Sequence, residues 1–372
     1  MPSARRRVVL IRNSMRYMAI IKKMRKKGKK IVLSALSALR VPELSLRAPT
    51  VRPRIFLYHG VSPDIPGYGI FNYRKKFLAP EGFRRELSWI SRHFIIIPLP
   101  LLIERIQNED RLSPRTAAIT FDDGYGNFYE HAFPILKEFS LQATFFITTD
   151  LADQKAPLWV DTLEYAIGHA RGHALRASSK GKEEIFNIET HGDRMRTDMV
   201  LRDRLKKLPR SEAEILLDEL VNAAGANLQE SFLSSPYRGI TWEEAREMER
   251  AGMTFAPHTR SHPILSRMPT SDAKEEILFS RKRLQEELDA PLDIFAYPNG
   301  QPEDITPEII SIIQKAGFRA ALTTIPGAIG KNTNPYLLPR ITLDDTDSFP
   351  AFKNTAAGIT HQLRRALDAL KK

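Results

Sequence analysis

Thr116-Ala-Ala-Ile-Thr-Phe-Asp-Asp-Gly124 begins as a buried strand and ends on two adjacent carboxylates and a glycine. A short apolar, β-branched run stopped by turn residues reads as a strand. A helix pattern follows at 127–139, carrying Phe133, Leu136 and Phe139. Next comes Ala143-Thr-Phe-Phe-Ile-Thr148, again aromatic and β-branched. Strand, helix and strand in that order predict parallel α/β architecture.

The same alternation recurs on both sides. Upstream, Arg54-Ile-Phe-Leu-Tyr58 reads as a strand ahead of His59. A helix pattern then covers 81–93, and the apolar run Phe94–Ile97 is closed by Pro98. Downstream, Thr241-Trp-Glu-Glu244 matches a capping box for a helix ending at Gly252. Met253–Ala256 is a short strand ending at Pro257-His258, and a helix spans 271–289. Asp293–Tyr297 is a strand ending at Pro298-Asn299-Gly300. Thr306-Pro307 opens another helix, and Phe318–Thr323 and Leu338–Leu343 are further strands. The charged stretch 158–240 breaks the rhythm and reads as a helical insertion or lid.

Six or seven strands alternating with helices suggest a relative of the (β/α) barrels, whose chemistry sits at the C-terminal ends of the strands. His59, Asp122-Asp123, His258 and Pro298-Asn-Gly all fall at such ends. The expected organisation is a basic arm and linker over 1–54, a barrel over 55–350 with its insertion at about 158–240, and a C-terminal helix or tail over 351–372.

The chain has no cysteine, so disulfides and thiolate metal sites are excluded and any metal must sit on His, Asp or Glu. Its net charge of +12 is uneven. Residues 1–54 hold sixteen Lys or Arg against Glu43 alone, +15, which leaves −3 for the other 318 residues. A nucleic-acid stripe on the body is therefore not expected, and contact through the arm alone would be nonspecific and salt-sensitive. The arm has no apolar run of ~18 residues and no good signal-peptide pattern. Met15, Met18, Ile21, Met24 and Ile31–Leu39 fit one side of a basic interfacial helix attracted to an anionic membrane surface, and equally a solvated basic tail. A cytoplasmic protein, peripheral at the inner membrane face, is the expectation from the first alternative.

Two neighbouring carboxylates repel, and burying both calls for positive charge beside them. By itself Asp-Asp-Gly is also common loop punctuation. His258-Thr-Arg-Ser-His262 adds two imidazoles four residues apart, which read as one face of a helical turn able to reach one ion. One carboxylate and two imidazoles with an open position suit a hydrolytic divalent metal, zinc best among them. Tyr125, Phe128, Trp159 and Tyr237 are candidates to stack on sugar rings. His131, His169, His173, His191 and His361 have no partner at ligand spacing.

Thr120-Phe-Asp-Asp-Gly124, His258-Thr-Arg-Ser-His262 and Tyr297-Pro-Asn-Gly300, in that order, resemble the motifs of the polysaccharide deacetylase family, over about Ile55 to Leu343. The resemblance implies a distorted barrel with fewer than eight strands. It implies Asp122 as general base and Asp123, His258 and His262 as metal ligands. The Asn299 amide would be an oxyanion donor, and the substrate an N-acetylated, or O-acetylated, saccharide. Two positions depart from the family pattern. Ala296 stands where relatives carry an Arg that pairs with the base, and Leu338-Pro-Arg340 carries Arg where relatives have the acid His. The expectation is compensation: Arg340 orients Asp122 and His59 protonates the leaving group. A non-catalytic carbohydrate-binding relative is the alternative, but four clustered groups costly to bury without a cation argue against it.

Overall fold

The computed structural model describes residues 28, 30–48, 52–63, 69–110, 112–179, 182–225, 236–343, 346 and 348–369. The chain divides into two compact units. One comprises residues 1–51 with 346–372, the other 52–345.

Among the described residues the larger unit holds ten strands: β1 (Arg54–Tyr58), β2 (Ile95–Ile96), β3 (Thr116–Phe121), β4 (Thr144–Ile147), β5 (Ala174–Ser179), β6 (Lys182–Asn187), β7 (Thr254–Pro257), β8 (Ile294–Ala296), β9 (Ala320–Pro326) and β10 (Leu338–Thr342). Seven pair in the order β7-β4-β3-β1-β10-β9-β8, every pair parallel, and β2 pairs with the first residues of β3. Between the end strands β7 and β8, Leu292 N–H donates to Phe255 O at 2.8 Å. The result is a nearly closed barrel of seven strands, as expected.

The barrel strands are mostly apolar because both faces are covered, which is the rule for parallel sheets. β1, β3 and β4 are buried at every position. One residue set fills the interior: Ile55, Ala118, Phe146, Ala256, Ala296, Ala320, Leu322 and Leu338, with Leu99, Leu102 and Ile103 of the helix Leu99–Gln107 packed against them. Strand periodicity of two then decides what stands at the top of the barrel. In sequence parity, His59 follows Ile55, Asp122 follows Ala118, His258 follows Ala256 and Arg340 follows Leu338. The alternation that puts small apolar groups inside thus points these polar groups toward the same mouth. Outside, Phe121 stacks on Phe145 at 4.9 Å and meets Phe128 at 5.5 Å. Each such buried ring contributes ~1.5–3 kcal/mol.

Residues 158–240 are not wholly helical. Helices Trp159–His169, His191–Leu205 and Arg210–Ala224 are joined by an antiparallel hairpin of β5 and β6. The hairpin was missed because Lys182-Glu-Glu-Ile-Phe-Asn187 is charged like a surface helix. The inward positions Leu175 and Ala177, buried in the insertion's own core, and Phe186 packed against it carry the strand signal.

In the smaller unit, residues 30–38 are helical, and helices Val41–Ser45, Phe349–Ala356 and Ile359–Ala369 complete it. Asn354 Nδ2 donates to Leu33 O at 3.0 Å, and Lys353 pairs with Glu43 at 2.9 Å. Met15, Met18, Ile21 and Met24 lie outside the described residues. No helix among the described residues is long and apolar enough to cross a membrane.

Candidate active site

Asp122 follows β3 directly, its N–H donating to Tyr58 O at 3.0 Å. A fully extended chain would turn Asp123 away from Asp122. Instead Asp123 has φ 84, a conformation rare outside glycine, and both carboxylates reach the mouth. Asp122 is buried against Arg340. Nη1 donates to Oδ1 and Nη2 to Oδ2, each at 2.6 Å, in a bidentate fork. Arg340 is fully buried, and its Nε donates to Thr323 O at 2.8 Å. The β9–β10 register shifts between Leu338 and Arg340, at Pro339, which has no N–H to give a ladder.

Asp123, His258 and His262 are all buried, and one ligand atom from each lies within 4.8 Å of the others. His262 Nε2 is 3.3 Å and His258 Nε2 3.6 Å from Asp123 Oδ1. Among the described residues no other such cluster of His and acidic groups occurs.

The segment 258–262 is not the expected helical turn. Thr259 and His262 have φ of 68 and 60, so the chain folds through two left-handed positions. Each such position costs roughly 1–3 kcal/mol and persists only where surroundings fix it. Glu276 does so from the helix Thr270–Glu287: its Oε2 accepts from Arg260 N–H at 3.0 Å and Ser261 N–H at 2.8 Å. Thr259 Oγ1 accepts from His262 N–H at 3.0 Å. The imidazoles meet through loop geometry, not helical spacing.

The proton positions of the donor set suit a cation. His258 Nδ1 is 2.8 Å from Ala296 O. A carbonyl only accepts, so Nδ1 carries the proton, and a neutral His258 aims a bare Nε2 lone pair at a carboxylate oxygen. Two acceptors facing each other in a buried site need a positive centre between them. Burial also pushes His262 below its ordinary value, against the pull of Asp123. Burial works to raise Asp123, yet in the absence of a cation the protons and charge of the imidazoles, where they face it, hold it well below its usual range. Deprotonated carboxylate and neutral imidazole are the forms that ligate a metal, and the residues fit one. Ala296, which replaces the family's Arg, supplies the carbonyl that fixes the His258 tautomer.

A measurable consequence is stabilisation by metal. Zn²⁺ added to metal-free protein at a hundred times its Kd is expected to add ~2.7 kcal/mol, seen as a rise in Tm. His262→Ala should abolish that rise. No shift with zinc, cobalt, nickel or manganese removes the site.

The other sequence candidates separate clearly. His59 is half-buried at the end of β1, and its charge is among those that lower Asp123. Asn299, at φ 58, follows β8. Its O accepts from Thr324 Oγ1 at 2.5 Å and its Nδ2 donates to Asp304 at 2.5 Å. Gly300 must be glycine: at φ 60, a Cβ would sit 2.9 Å from Tyr297 O and 3.0 Å from Thr324 N.

Tyr125, Phe128 and Tyr237 are buried and cannot stack on a sugar. Tyr125 OH donates to Asp161 at 2.6 Å and Tyr237 OH to Glu164 at 2.6 Å, while Phe128 packs in the core. These rings turn inward and pack in the interior, which composition alone does not reveal. Trp159 is partly buried against the insertion's core. Sequence reasoning missed Lys206. Its Nζ reaches Asn299 Oδ1 at 2.5 Å from the end of an insertion helix, across 93 residues, and no spacing rule could have joined them.

Residues 109–321 match the family model described as polysaccharide deacetylase. The chain belongs to the polysaccharide deacetylase family. The poly-β-1,6-N-acetyl-D-glucosamine N-deacetylase of Staphylococcus aureus (strain MRSA252) is 22% identical over 332 residues, covering 86% of this chain and 83% of its own. Among solved structures, this deacetylase-family chain is similar to the Streptococcus pyogenes deacetylase PplD in complex with acetate (TM-score 0.52, 16% identity, 84% of this chain and 97% of that one). It is also similar to IcaB from Ammonifex degensii (TM-score 0.50, 16% identity, 83% and 96%). At these identities the structures bear on the fold, and they agree with the barrel.

Proposed function

We propose that this protein hydrolyses the acetamido group of an N-acetylated saccharide, with Asp122 as general base. The observation that carries the reading is the buried Asp123–His258–His262 cluster beside the Asp122–Arg340 pair. The S. aureus relative's stated substrate, an N-acetylglucosamine polymer, supports the substrate class. Asp123, His258 and His262 would hold a divalent cation, zinc being the ion they suit best, and the ion would supply Lewis acidity to the hydrolysis. Asp122 takes the proton of the attacking water. Arg340 holds both carboxylate oxygens and so fixes the direction of the base. The Asn299 N–H faces the oxygen that gains charge. His59 gives a proton to the leaving nitrogen; Arg340, in the position of the family's acid, stays charged and cannot. Acetate release from N-acetylglucosamine oligomers, with an O-acetylated xylan in parallel, tests this. Release from neither substrate by metal-loaded protein sinks it.

A peripheral position on the inner membrane face belongs to the same proposal. The helical residues 30–38 bury Leu33 and Ser37 and leave Ile31 and Val32 exposed at 70% and 51%, and Leu39, just past the last helical residue, is exposed at 70%. The inward and outward residues lie on opposite sides at 100° per residue. Lys30, Arg40 and Arg47 flank this stretch in the sequence, and the basic segment 1–27 precedes it. Attraction of ~1 kcal/mol per basic residue favours anionic lipid. The protein is expected to pellet with phosphatidylglycerol vesicles, less at high salt, and Ile31→Glu with Leu39→Glu should reduce pelleting at every salt. Equal pelleting with neutral vesicles, or none, excludes this.

A further inference from the structure

Lys206 caps the helix His191–Leu205, its N–H donating to Arg202 O at 3.1 Å. Its side chain leaves the insertion and gives a hydrogen bond to Asn299 Oδ1 at 2.5 Å. On the other side of the same amide, Nδ2 donates to Asp304 Oδ2 at 2.5 Å. The amide is therefore clamped between a cation and a carboxylate, and its orientation is fixed by that network. Asn299 sits in a left-handed conformation, which Asn adopts more readily than most residues. Its backbone is held further by Thr324 Oγ1 on its carbonyl.

Lys206 is half-buried and has no carboxylate within ion-pairing distance among the described residues. The charged groups facing it are Arg202 and Asp203 of its own helix, Arg74 of the loop beyond Gly69, and Asp304. Burial, then Arg202 and Arg74, lower it from the ordinary 10.5 to about 8. The folded protein thus binds this proton less readily than the unfolded chain between those values. At neutral pH the ammonium costs stability where it stands, and the cost fades as pH rises from about 8 toward 10.5. A cation kept at a cost beside a reactive loop points to a role in the reaction.

We propose that Lys206 is a positioning residue for deacetylation: its ammonium ties the insertion to Asn299 and holds that loop's N–H where the acetyl oxygen gains charge. The inference rests on the reading of Asn299 as an oxyanion donor. The insertion is then part of the active site and not merely its cover. Removing a direct oxyanion donor costs about 10²–10³-fold in turnover, and a group acting through that donor should cost less.

Four variants test it. Lys206→Met should lower kcat by roughly 10–100-fold with KM nearly unchanged, and should melt no lower than wild type. Lys206→Arg keeps the charge and should recover most of the loss. In wild type, the alkaline decline should combine the loss of the His59 proton with a component near pH 8 as the Lys206 ammonium titrates, and Lys206→Arg should remove that second component. Asn299→Ala keeps the backbone N–H but loses the handle, so adding Lys206→Met to it should change kcat little further. Full activity in Lys206→Met, additive losses in the double variant, or an unaltered alkaline limb in Lys206→Arg overturns the proposal. Hydrogen–deuterium exchange over 297–301 needs no substrate. Faster exchange in Lys206→Met but not in Lys206→Arg supports the tether; equal exchange overturns it, even if no acetate is released and the deacetylase reading itself has failed.

Discussion

Asparagine in place of Asp122 is expected to lower acetate release by about 10³-fold or more, with metal binding retained. General-base removal costs typically 10²–10⁴-fold, and here no other carboxylate is free to serve. Asp123 is committed toward His258 and His262, at 3.6 and 3.3 Å. The substitution is nearly isosteric but disturbs the pair. Oδ1 still accepts from Arg340 Nη1, while Nδ2 now faces Nη2, donor against donor, in a buried site. A drop of a few kcal/mol in stability should therefore accompany the loss of turnover. Initial rates of acetate release measured well below the variant's Tm separate the two effects. Turnover within tenfold of wild type would remove Asp122 from the chemistry.

Arg340→Leu should have the largest effect on stability. A buried ion pair contributes little over an apolar pair, but removing one partner leaves the other charge uncompensated and costs ~3–5 kcal/mol. Arg340 is entirely buried, so water cannot take its place cheaply. Thr323 O also loses its donor. For a unit of this size, Tm should fall by roughly 10 °C. Arg340→Lys keeps a charge but not the fork, and should fall between the two. Asp122→Leu combined with Arg340→Leu should recover much of the stability while remaining inactive. That pattern distinguishes an uncompensated charge from simple loss of packing. A Tm within 2 °C of wild type in Arg340→Leu would falsify the view that the fork is an isolated buried pair.

Much of the barrel was readable from local chemistry. β1 and β3 occupy the residues expected of them, because their runs are apolar and end in turn residues. The Thr241 capping box forms as its residues dictate, with Glu244 N–H on Thr241 Oγ1 at 3.2 Å and Thr241 N–H on Glu244 Oε2 at 2.9 Å. Asp123 with the two histidines could be named from the carboxylate and imidazole pairs, since like charges do not cluster without compensation, whereas Arg340 beside Asp122 was an expectation from the family resemblance alone, and the fork itself is a tertiary contact. Other expectations failed where packing overrides pattern. His258 and His262 have helical spacing but sit in a left-handed loop held by Glu276. The β5–β6 hairpin is strand only because Leu175 and Ala177 find the insertion's core. The aromatic rings offered for sugar stacking went to the interior.

The sequence by itself determined the alternation of strands and helices, the absence of thiolate chemistry, and which residue types could hold a cation, since each follows from neighbours a few positions apart. Only the tertiary structure decided that Arg340, 218 residues from Asp122, forms its fork, and that Lys206 meets Asn299. Such pairings depend on barrel closure and on how the insertion packs. Those are set by the summed burial of distant surfaces, which no local pattern encodes.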